Sequence, residues 1–203
     1  MNDINEQLEL PLDLSPPEIM LDLETMDTKA TAAIISIGAV KFDAERGVYD
    51  KFHIHVDLQD NIDSGRTLSG STIMWWVGQG EDARKQLASG VGVELWGALT
   101  QFSDWVCGPS GEEDWELDGP VDGDVLMWGN GAAFDNTILA NAYQTTGFDA
   151  PWKFDNDRCY RTMKNLAPDV ELKRIGTLHN AQDDAESQAL HLLEIRKHLL
   201  MGG

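Results

Sequence analysis

Ile19-Met20-Leu21-Asp22-Leu23-Glu24-Thr25 carries two acidic residues at the end of an apolar run. The run predicts a core strand, and side chains two positions apart on a strand point to the same face of the sheet. Two carboxylates ~4 Å apart repel each other by about 4 kcal/mol at an effective dielectric of ~20. A cation must offset Asp22 and Glu24, so the stretch predicts a metal site at the end of a buried strand.

Three further residues extend this set along the chain: Asp135, His179 and Asp184. Each lies where a predicted strand meets a turn or where a predicted helix begins. His179 and Asp184 are close to one helical turn apart, so both side chains can reach one site. Divalent cations held by carboxylates, with a histidine to deprotonate water, cleave phosphodiesters. The set therefore indicates metal-dependent hydrolysis of a phosphodiester.

Length and composition favour one globular domain. The 203 residues suit a single domain with a sizeable core, which we expect at residues 18–203. Residues 1–17 are polar and rich in proline, which predicts a flexible N-terminal tail. Cys107 and Cys159 form no metal-binding cluster or disulfide framework, as expected in the cytoplasm of a bacterium or a phage-infected cell. We find no membrane-spanning stretch and no signal peptide.

The net charge of −20 is unusual for a protein that acts on nucleic acid. Non-specific affinity for nucleic acid comes from lysine and arginine side chains that neutralise phosphates. We therefore expect weak intrinsic affinity for long polyanions, and either a short substrate or tethering by a partner.

Hydrophobic periodicity predicts strands first and helices afterwards. Strands are predicted at 19–23, 32–42 and 52–56, as an antiparallel meander with a turn at 46–47, and a fourth at 125–128. Helices are predicted at 71–76 (capped by Ser71 or Thr72), 81–87, 93–106, 135–143 and 180–200. The last helix is predicted to bury Ala185, Ala189, Leu192, Leu193 and Leu199. The acidic segment 108–123 is predicted to be a solvated loop.

Three segments carry a resemblance to a known family: Asp22-Leu23-Glu24-Thr25, Asn130-Gly131-Ala132-Ala133-Phe134-Asp135 and His179-Asn180-Ala181-Gln182-Asp183-Asp184-Ala185. In this order they resemble the motifs of the DnaQ-like, DEDDh-type 3′-to-5′ exonucleases. The stretch Ser71-Thr72-Ile73-Met74-Trp75-Trp76 is similar to the phage and prophage branch that includes DexA, and more distantly to mycobacterial RNase AS. The resemblance implies an α/β, RNase H-like fold with a mixed five-stranded sheet flanked by helices.

The resemblance also implies a role for each catalytic residue. Two Mg²⁺ (or Mn²⁺) ions would share Asp22, with Glu24 and Asp184 completing the first site and Asp135 reaching the second. His179 would be the general base. The family's spacing of histidine and aspartate selects Asp184 as the ligand, whereas Asp183 is predicted to be an exposed acid of the first helical turn.

Residues next to the acids are predicted to bind the substrate. The backbone of Thr25 would meet the terminal 3′-hydroxyl and Met26 would pack on the base, while Asn130, Ala133 and Phe134 would line the cleft. Trp75 and Trp76 fit the core better than a stacking platform, although a base can stack on an exposed indole, as proposed for Trp75. The other histidines, His53, His55, His191 and His198, are predicted to be satisfied polar residues.

The tail contains Gln7-Leu8-Glu9-Leu10-Pro11-Leu12. It resembles the hexapeptide by which bacterial replication proteins dock on the sliding clamp, with Gln7, Leu8, Leu10 and Leu12 as the contacting residues. The alternative is a disordered leader with chance leucines.

Two classes of function remain from the sequence. The first is an exonuclease that releases nucleoside 5′-monophosphates from the 3′ end of single-stranded nucleic acid, with DNA favoured. An exoribonuclease, or an enzyme that trims short oligonucleotides or caps, is the alternative within that class. The second is a non-catalytic, acidic protein that docks on a clamp. The oligomeric state is left open, with a homodimer as one option.

Overall fold

The computed structural model describes residues 16–88, 91–108 and 124–201. The clamp-like hexapeptide and nearly all of the acidic segment 108–123 lie outside the described residues.

A five-stranded mixed sheet forms the centre of the domain. Its strands are β1 (Glu18–Thr25), β2 (Ile34–Asp43), β3 (Gly47–His55), β4 (Leu126–Gly129) and β5 (Asp157–Cys159). The spatial order is β3-β2-β1-β4-β5. Strands β1 to β3 pair antiparallel, and β4 and β5 run parallel to β1. The predicted meander and the predicted mixed sheet are confirmed.

Strand β1 is buried on both faces. Its successive side chains point to opposite sides of the sheet and therefore enter different core clusters. Ile19, Leu21 and Leu23 enter one core cluster. Met20 enters the other. By the same alternation Asp22 and Glu24 lie on the face of Met20. The carbonyl of Pro17, the last residue of the predicted tail, accepts a hydrogen bond from the N–H of Leu126 (2.9 Å).

Helices pack on both faces of the sheet. They are α1 (Leu58–Asp63), α2 (Gly70–Val77), α3 (Glu81–Ala88), α4 (Leu95–Cys107), α5 (Asp135–Thr146), α6 (Tyr160–Leu166) and α7 (Ala181–Leu200). Apolar residues of α4 and α5 share a core cluster with Leu21 of β1. Those of α6 and α7 share a cluster with Met20, on the side of the acids. In the part of the chain that the structure describes, no helix is long and apolar enough to cross a membrane.

Helix α7 begins in close contact with the sheet. Gly38 of β2 pairs with Asp22 of β1. A Cβ atom built on Gly38 would lie 2.1 Å from the backbone carbonyl carbon of Ala181, the first residue of α7. The missing side chain at position 38 therefore lets the start of α7 approach the strand that carries the acids.

Some predicted details are wrong. Ser71 and Thr72 lie inside α2, which follows Ser69 as its N-cap. Leu199 is 42% exposed because it lies in the last turn of α7, beyond the buried stretch. The sequence prediction missed α1, α6 and β5, which have only six, seven and three residues. Such short elements show too little periodicity to be recognised.

Candidate active site

The five predicted catalytic residues meet at the ends of β1 and β4. Asp22 and Glu24 come from β1, Asp135 is the first residue of α5, and Asp184 lies in the first turn of α7. Single ligand atoms of Glu24, His179 and Asp184 lie within 4.8 Å of one another. All five residues line one cleft with a volume of about 430 Å³.

Asp135 is held at the site by the backbone of the neighbouring strand. The pairing of β1 with β4 ends where Leu21 meets Gly129. Beyond that point the N–H of Leu23 donates to Oδ1 of Asp135 at 3.2 Å. Because Asp135 follows the N-cap Phe134, it does not cap α5 itself. Its carboxylate instead joins the acids of β1.

Asp184 and His179 are linked through the loop that precedes α7. The backbone N–H of His179 donates to Oδ2 of Asp184 at 3.0 Å. His179 has φ = 62°, a left-handed conformation that costs energy for a residue with a side chain. The Nη1 atom of Arg174 donates to Oδ1 of Asp184 at 2.6 Å. These contacts fix the orientation of the Asp184 carboxylate.

Asp183 faces the loop instead of the acids. Its Oδ2 atom accepts a hydrogen bond from the N–H of Thr177 at 2.7 Å. The N–H of Asp183 in turn donates to the side chain of Asn180, the N-cap of α7. Asp183 therefore positions the loop that carries His179, and Asp184 is the acid that the structure brings into the cleft.

Burial and mutual repulsion raise the pKa values of the acids. Burial raises the pKa of Asp22 well above its ordinary value, and the charge of Asp135 adds to the effect. Burial raises the pKa of Glu24 to about 8. It also raises the pKa of Asp135 to about 7, against the stabilising hydrogen bond from Leu23. The pKa of Asp184 is raised by burial as well, although the N–H of His179 and the charge of Arg174 oppose the shift.

The cluster fits divalent metal ions. Four carboxylates supply hard oxygen ligands of the kind that Mg²⁺ and Mn²⁺ prefer, and there is no cysteine or histidine cluster that would favour zinc among the described residues. Burial and the like charges of neighbouring acids raise these pKa values, and bound cations would offset both effects.

Two adjacent tryptophans of α2 surround His179. The ring centroids of Trp75 and Trp76 lie 5.0 and 5.6 Å from that of His179, both in edge-to-face arrangements. Trp76 is 3% exposed and belongs to a core cluster, as predicted. Trp75 is 48% exposed and lines the cleft, so the core interpretation is wrong for this residue. Burial lowers the pKa of His179, which keeps the imidazole neutral near pH 7.

A second pocket of about 390 Å³ adjoins the acids and is mainly apolar. It shares Glu24, Trp75 and Phe134 with the catalytic cleft. Thr25 lines it as well, and its carbonyl accepts a hydrogen bond from the indole N–H of Trp76 at 3.0 Å. We call it the Trp75 pocket, defined by Thr25, Ser71, Thr72, Trp75 and Phe134.

The other predicted substrate residues divide into two groups. Asn130 lines the catalytic cleft together with Phe134. Met26 is 7% exposed and packs in the core cluster that contains Trp76. Little of its surface is therefore left for the predicted contact with a base. Ala133 is exposed and does not line the catalytic cleft or the Trp75 pocket.

The histidine predictions also divide. His191 is satisfied, because its Nδ1 atom lies 2.6 Å from the Tyr160 hydroxyl and its Nε2 atom 2.8 Å from the Val170 carbonyl. The Nε2 atom of His53 is buried and has no hydrogen-bond partner among the described residues, so that prediction is wrong. His53 packs instead against His55, with ring centroids 4.8 Å apart.

The sequence prediction missed four polar residues of the cleft: Arg161, Lys164, Arg174 and Gln188. The Nε2 atom of Gln188 donates to Oδ1 of Asp22 at 2.8 Å. Gln188 lies four residues after Asp184 in α7, so helical spacing alone places it on the same face as Asp184. The arginines and the lysine carried no comparable signal in the sequence.

Comparison with known proteins agrees with this geometry. An exodeoxyribonuclease of Enterobacteria phage T4 is 28% identical over 167 residues, which cover 71% of this chain and 69% of that protein. The nuclease domain of 3′hExo, a DEDDh family member, has a TM-score of 0.58 at 12% identity and covers 92% of this chain and 94% of its own. E. coli Exonuclease I in complex with a dT13 oligonucleotide has a TM-score of 0.61 at 13% identity, and the match covers 92% of this chain and 43% of that chain.

The fold and the site together define a DnaQ-like 3′-to-5′ exonuclease. The chain is thus an enzyme that acts on nucleic acid, and the non-catalytic alternative is excluded. More narrowly, it belongs to the 3′-5′ exoribonuclease Rv2179c-like domain family, which matches residues 17–196. Docking on a sliding clamp involves residues outside the described part of the chain. It stays a prediction, as does a homodimer.

Proposed function

We propose that the protein removes nucleotides from the 3′ end of single-stranded nucleic acid with the help of two divalent metal ions, and that DNA is its preferred substrate. The observation that supports this most directly is that four acids and His179 line one cleft, where burial raises the pKa values of the acids and lowers that of the histidine. Asp22, Glu24 and Asp184 would hold one ion, and Asp22 and Asp135 the other. When bound, such ions activate water and stabilise the charge that develops on the phosphate.

The protein's own residues would orient the reactants and move the proton. The terminal nucleoside would occupy the Trp75 pocket, with its base against Trp75 and Phe134 and its 3′-hydroxyl near the backbone of Thr25. His179 would take a proton from the attacking water. The new P–O bond forms as the bond from phosphorus to the 3′-oxygen of the preceding nucleotide breaks, and the departing oxygen takes a proton from solvent. The products are a nucleoside 5′-monophosphate and a strand one nucleotide shorter with a free 3′-hydroxyl.

The preference for DNA rests on the relative from phage T4, an exodeoxyribonuclease that is similar over most of this chain. An exoribonuclease is the second candidate, because the matching family is described as a 3′-5′ exoribonuclease domain. Discrimination between DNA and RNA depends on whether a cleft binds or sterically excludes the 2′-hydroxyl.

The test is digestion of end-labelled DNA and RNA oligonucleotides of identical sequence, with Mg²⁺ or Mn²⁺ and with EDTA. We expect a ladder that shortens from the 3′ end, release of nucleoside 5′-monophosphates, faster cleavage of DNA and no cleavage in EDTA. Dinucleotides and capped nucleotides in the same assay test for trimming of short substrates. A strand with a 3′-phosphate should resist. Cleavage of a circular strand would show an endonuclease and contradict the proposal.

A further inference from the structure

Three cationic side chains line the catalytic cleft of this strongly acidic protein: Arg161, Lys164 and Arg174. Arg161 and Lys164 are three residues apart in α6, so they are neighbours on one face of that helix. In the described ranges neither side chain lies within ion-pair distance of a carboxylate, although the charge of Arg161 acts on Asp135 from farther away and opposes the rise in its pKa. By contrast, Arg174, on the same cleft, is paired with Asp184. The two unpaired charges are available to a ligand, and their sign suits phosphate.

Arg161 is held in place by the backbone of the second catalytic motif. Its Nη2 atom donates to the carbonyl of Asn130 at 2.6 Å. Gly131 has φ = +109°, and a Cβ atom there would lie 3.2 Å from Cζ of Arg161. The turn therefore leaves room for the guanidinium. One hydrogen bond uses one of its five N–H donors, so the others remain available for phosphate oxygens.

An additional pocket continues the cleft beyond α6. Its volume is about 440 Å³, and it shares Lys164 and Leu172 with the catalytic cleft. Pro168 and Val170 contribute further apolar surface. This size lies within the usual range of small-ligand sites, about 300–1,000 Å³. We call it the outer pocket. Because Lys164 borders both cavities, a single strand that leaves the cleft past Lys164 enters the outer pocket.

We propose that Arg161, Lys164 and the outer pocket bind the nucleotides on the 5′ side of the scissile bond. The inference rests on the proposed function, because the direction in which the strand runs through the cleft follows from that function. If the terminal nucleoside occupies the pocket beside Trp75, the rest of the strand must leave the acids by another route, and α6 borders one. Arg161 and Lys164 neutralise successive phosphates, while Leu172 and Val170 pack against a base. Arg161 and Lys164 place two positive charges on the wall of the cleft, whereas the outer pocket is lined by Glu171 as well as Lys164, so its contribution is mainly apolar.

The test pairs protein charges with individual phosphates. We would measure kcat/KM on hexanucleotides that carry one neutral methylphosphonate at the second, third or fourth linkage from the 3′ end. In the unaltered protein, the neutral linkage should lower kcat/KM by about 2–5-fold at each contacted position, the range expected for exposed ion pairs. In Arg161→Gln/Lys164→Gln this penalty should disappear, because the partner charge is already gone.

Salt dependence gives an independent readout. For single strands each phosphate contact contributes about 0.7 to the slope of log affinity against log salt. The double variant should therefore lower the slope measured through kcat/KM by about 1.4. A matched control, Lys85→Gln/Lys153→Gln, removes two exposed charges that do not line the cleft. It should keep both the slope and the methylphosphonate penalty.

Substrate length separates this inference from the proposed function. The loss in kcat/KM caused by the double variant should grow from dinucleotides to hexanucleotides and should arise mainly in KM. An equal loss in kcat/KM at every substrate length, or a methylphosphonate penalty that persists in the double variant, would overturn the proposal that Arg161, Lys164 and the outer pocket bind the strand. If the unaltered protein cleaves no oligonucleotide, the proposed function itself fails.

Discussion

Removing one acid from the cluster should stabilise the metal-free protein. The perturbation is Glu24→Gln, which keeps the size of the side chain and removes its charge. Ligand atoms of Glu24 and Asp184 lie within 4.8 Å of each other. At an effective dielectric of ~20, two charges at this separation repel by roughly 3 kcal/mol. Solvent screening and the ion pair of Asp184 with Arg174 reduce this value. At pH 9 we therefore expect a gain of about 1–2 kcal/mol in the free energy of unfolding.

The pH dependence gives the sign of the effect. Burial raises the pKa of Glu24 from 4.5 in the unfolded chain to about 8 in the folded protein. The stability associated with the neutral carboxyl is therefore complete below pH 4.5 and is lost as the pH rises through 8. Glu24→Gln should match the unaltered protein at pH 5 and exceed it at pH 9. For a chain of this size, 1–2 kcal/mol corresponds to an increase in Tm of about 2–8 °C.

The assay is thermal unfolding in EDTA and in saturating Mg²⁺, at pH 5 and pH 9. In Mg²⁺ the order at pH 9 should reverse, because the ion stabilises the unaltered protein and the variant has lost a ligand. Glu45→Gln, an exposed acid in the turn between β2 and β3, is the control and should change Tm little in either solution. A lower Tm for Glu24→Gln in EDTA at pH 9, or equal stabilisation of both proteins by Mg²⁺, would refute the reasoning.

Four further predictions follow from the site and the tail. Asp184→Asn should lower the rate by several orders of magnitude, whereas Asp183→Asn should retain most activity and cost about 1 kcal/mol of stability through the lost hydrogen bond to Thr177. If rate measurements and urea denaturation show the opposite pattern, Asp183 and not Asp184 is the metal ligand. His179→Gln should lower kcat by about 10²–10⁴-fold, and the rate of the unaltered enzyme should fall as the pH drops through the pKa of His179, which lies below 6.5. If the rate of the variant still falls at low pH in the same way, His179 is not the general base. Trp76→Ala should cost about 3–5 kcal/mol in urea denaturation, while Trp75→Ala should mainly raise KM; a similar loss of stability in both would argue against a substrate role for Trp75. Deleting residues 1–16, or the double substitution Gln7→Ala/Leu10→Ala, should abolish binding to a bacterial sliding clamp and leave cleavage of short strands unchanged. If the full chain shows no binding to the clamp in a direct titration, the hexapeptide is a chance match.

The sequence predicted the site well where local spacing determines geometry. Asp22 and Glu24 share a face because they are two residues apart on a strand, and no tertiary information is needed to see this. The same alternation would place Met26 beside them. The pairing of β1 with β2 is irregular between Glu24 and Thr25, and Met26 enters the core instead. A single irregular step of this kind leaves no clear trace in the sequence.

Features that depend on packing between distant segments could not be predicted. Adjacent tryptophans in a short helix look alike in sequence, but Trp76 is buried in a core cluster with Ala33 and Ile35, whereas Trp75 stays 48% exposed. Likewise, Arg161 and Lys164 are two of the 15 lysines and arginines of the chain. Only the fold shows that they lie on the wall of the cleft, because α6 was too short to recognise and its position depends on the sheet order.

The contact between Gly38 and the start of α7 bears on how mutational data for this enzyme should be interpreted. A Cβ atom at position 38 would overlap the backbone at 2.1 Å, and relief to an ordinary contact requires a movement of more than about 1 Å. Because the affected helix carries Asp184, the movement would displace a catalytic group, and a displacement of ~1 Å can cost about 10²-fold in rate. Gly38→Ala should therefore resemble loss of a catalytic residue in an activity screen, although glycine has no side chain that could take part in the reaction.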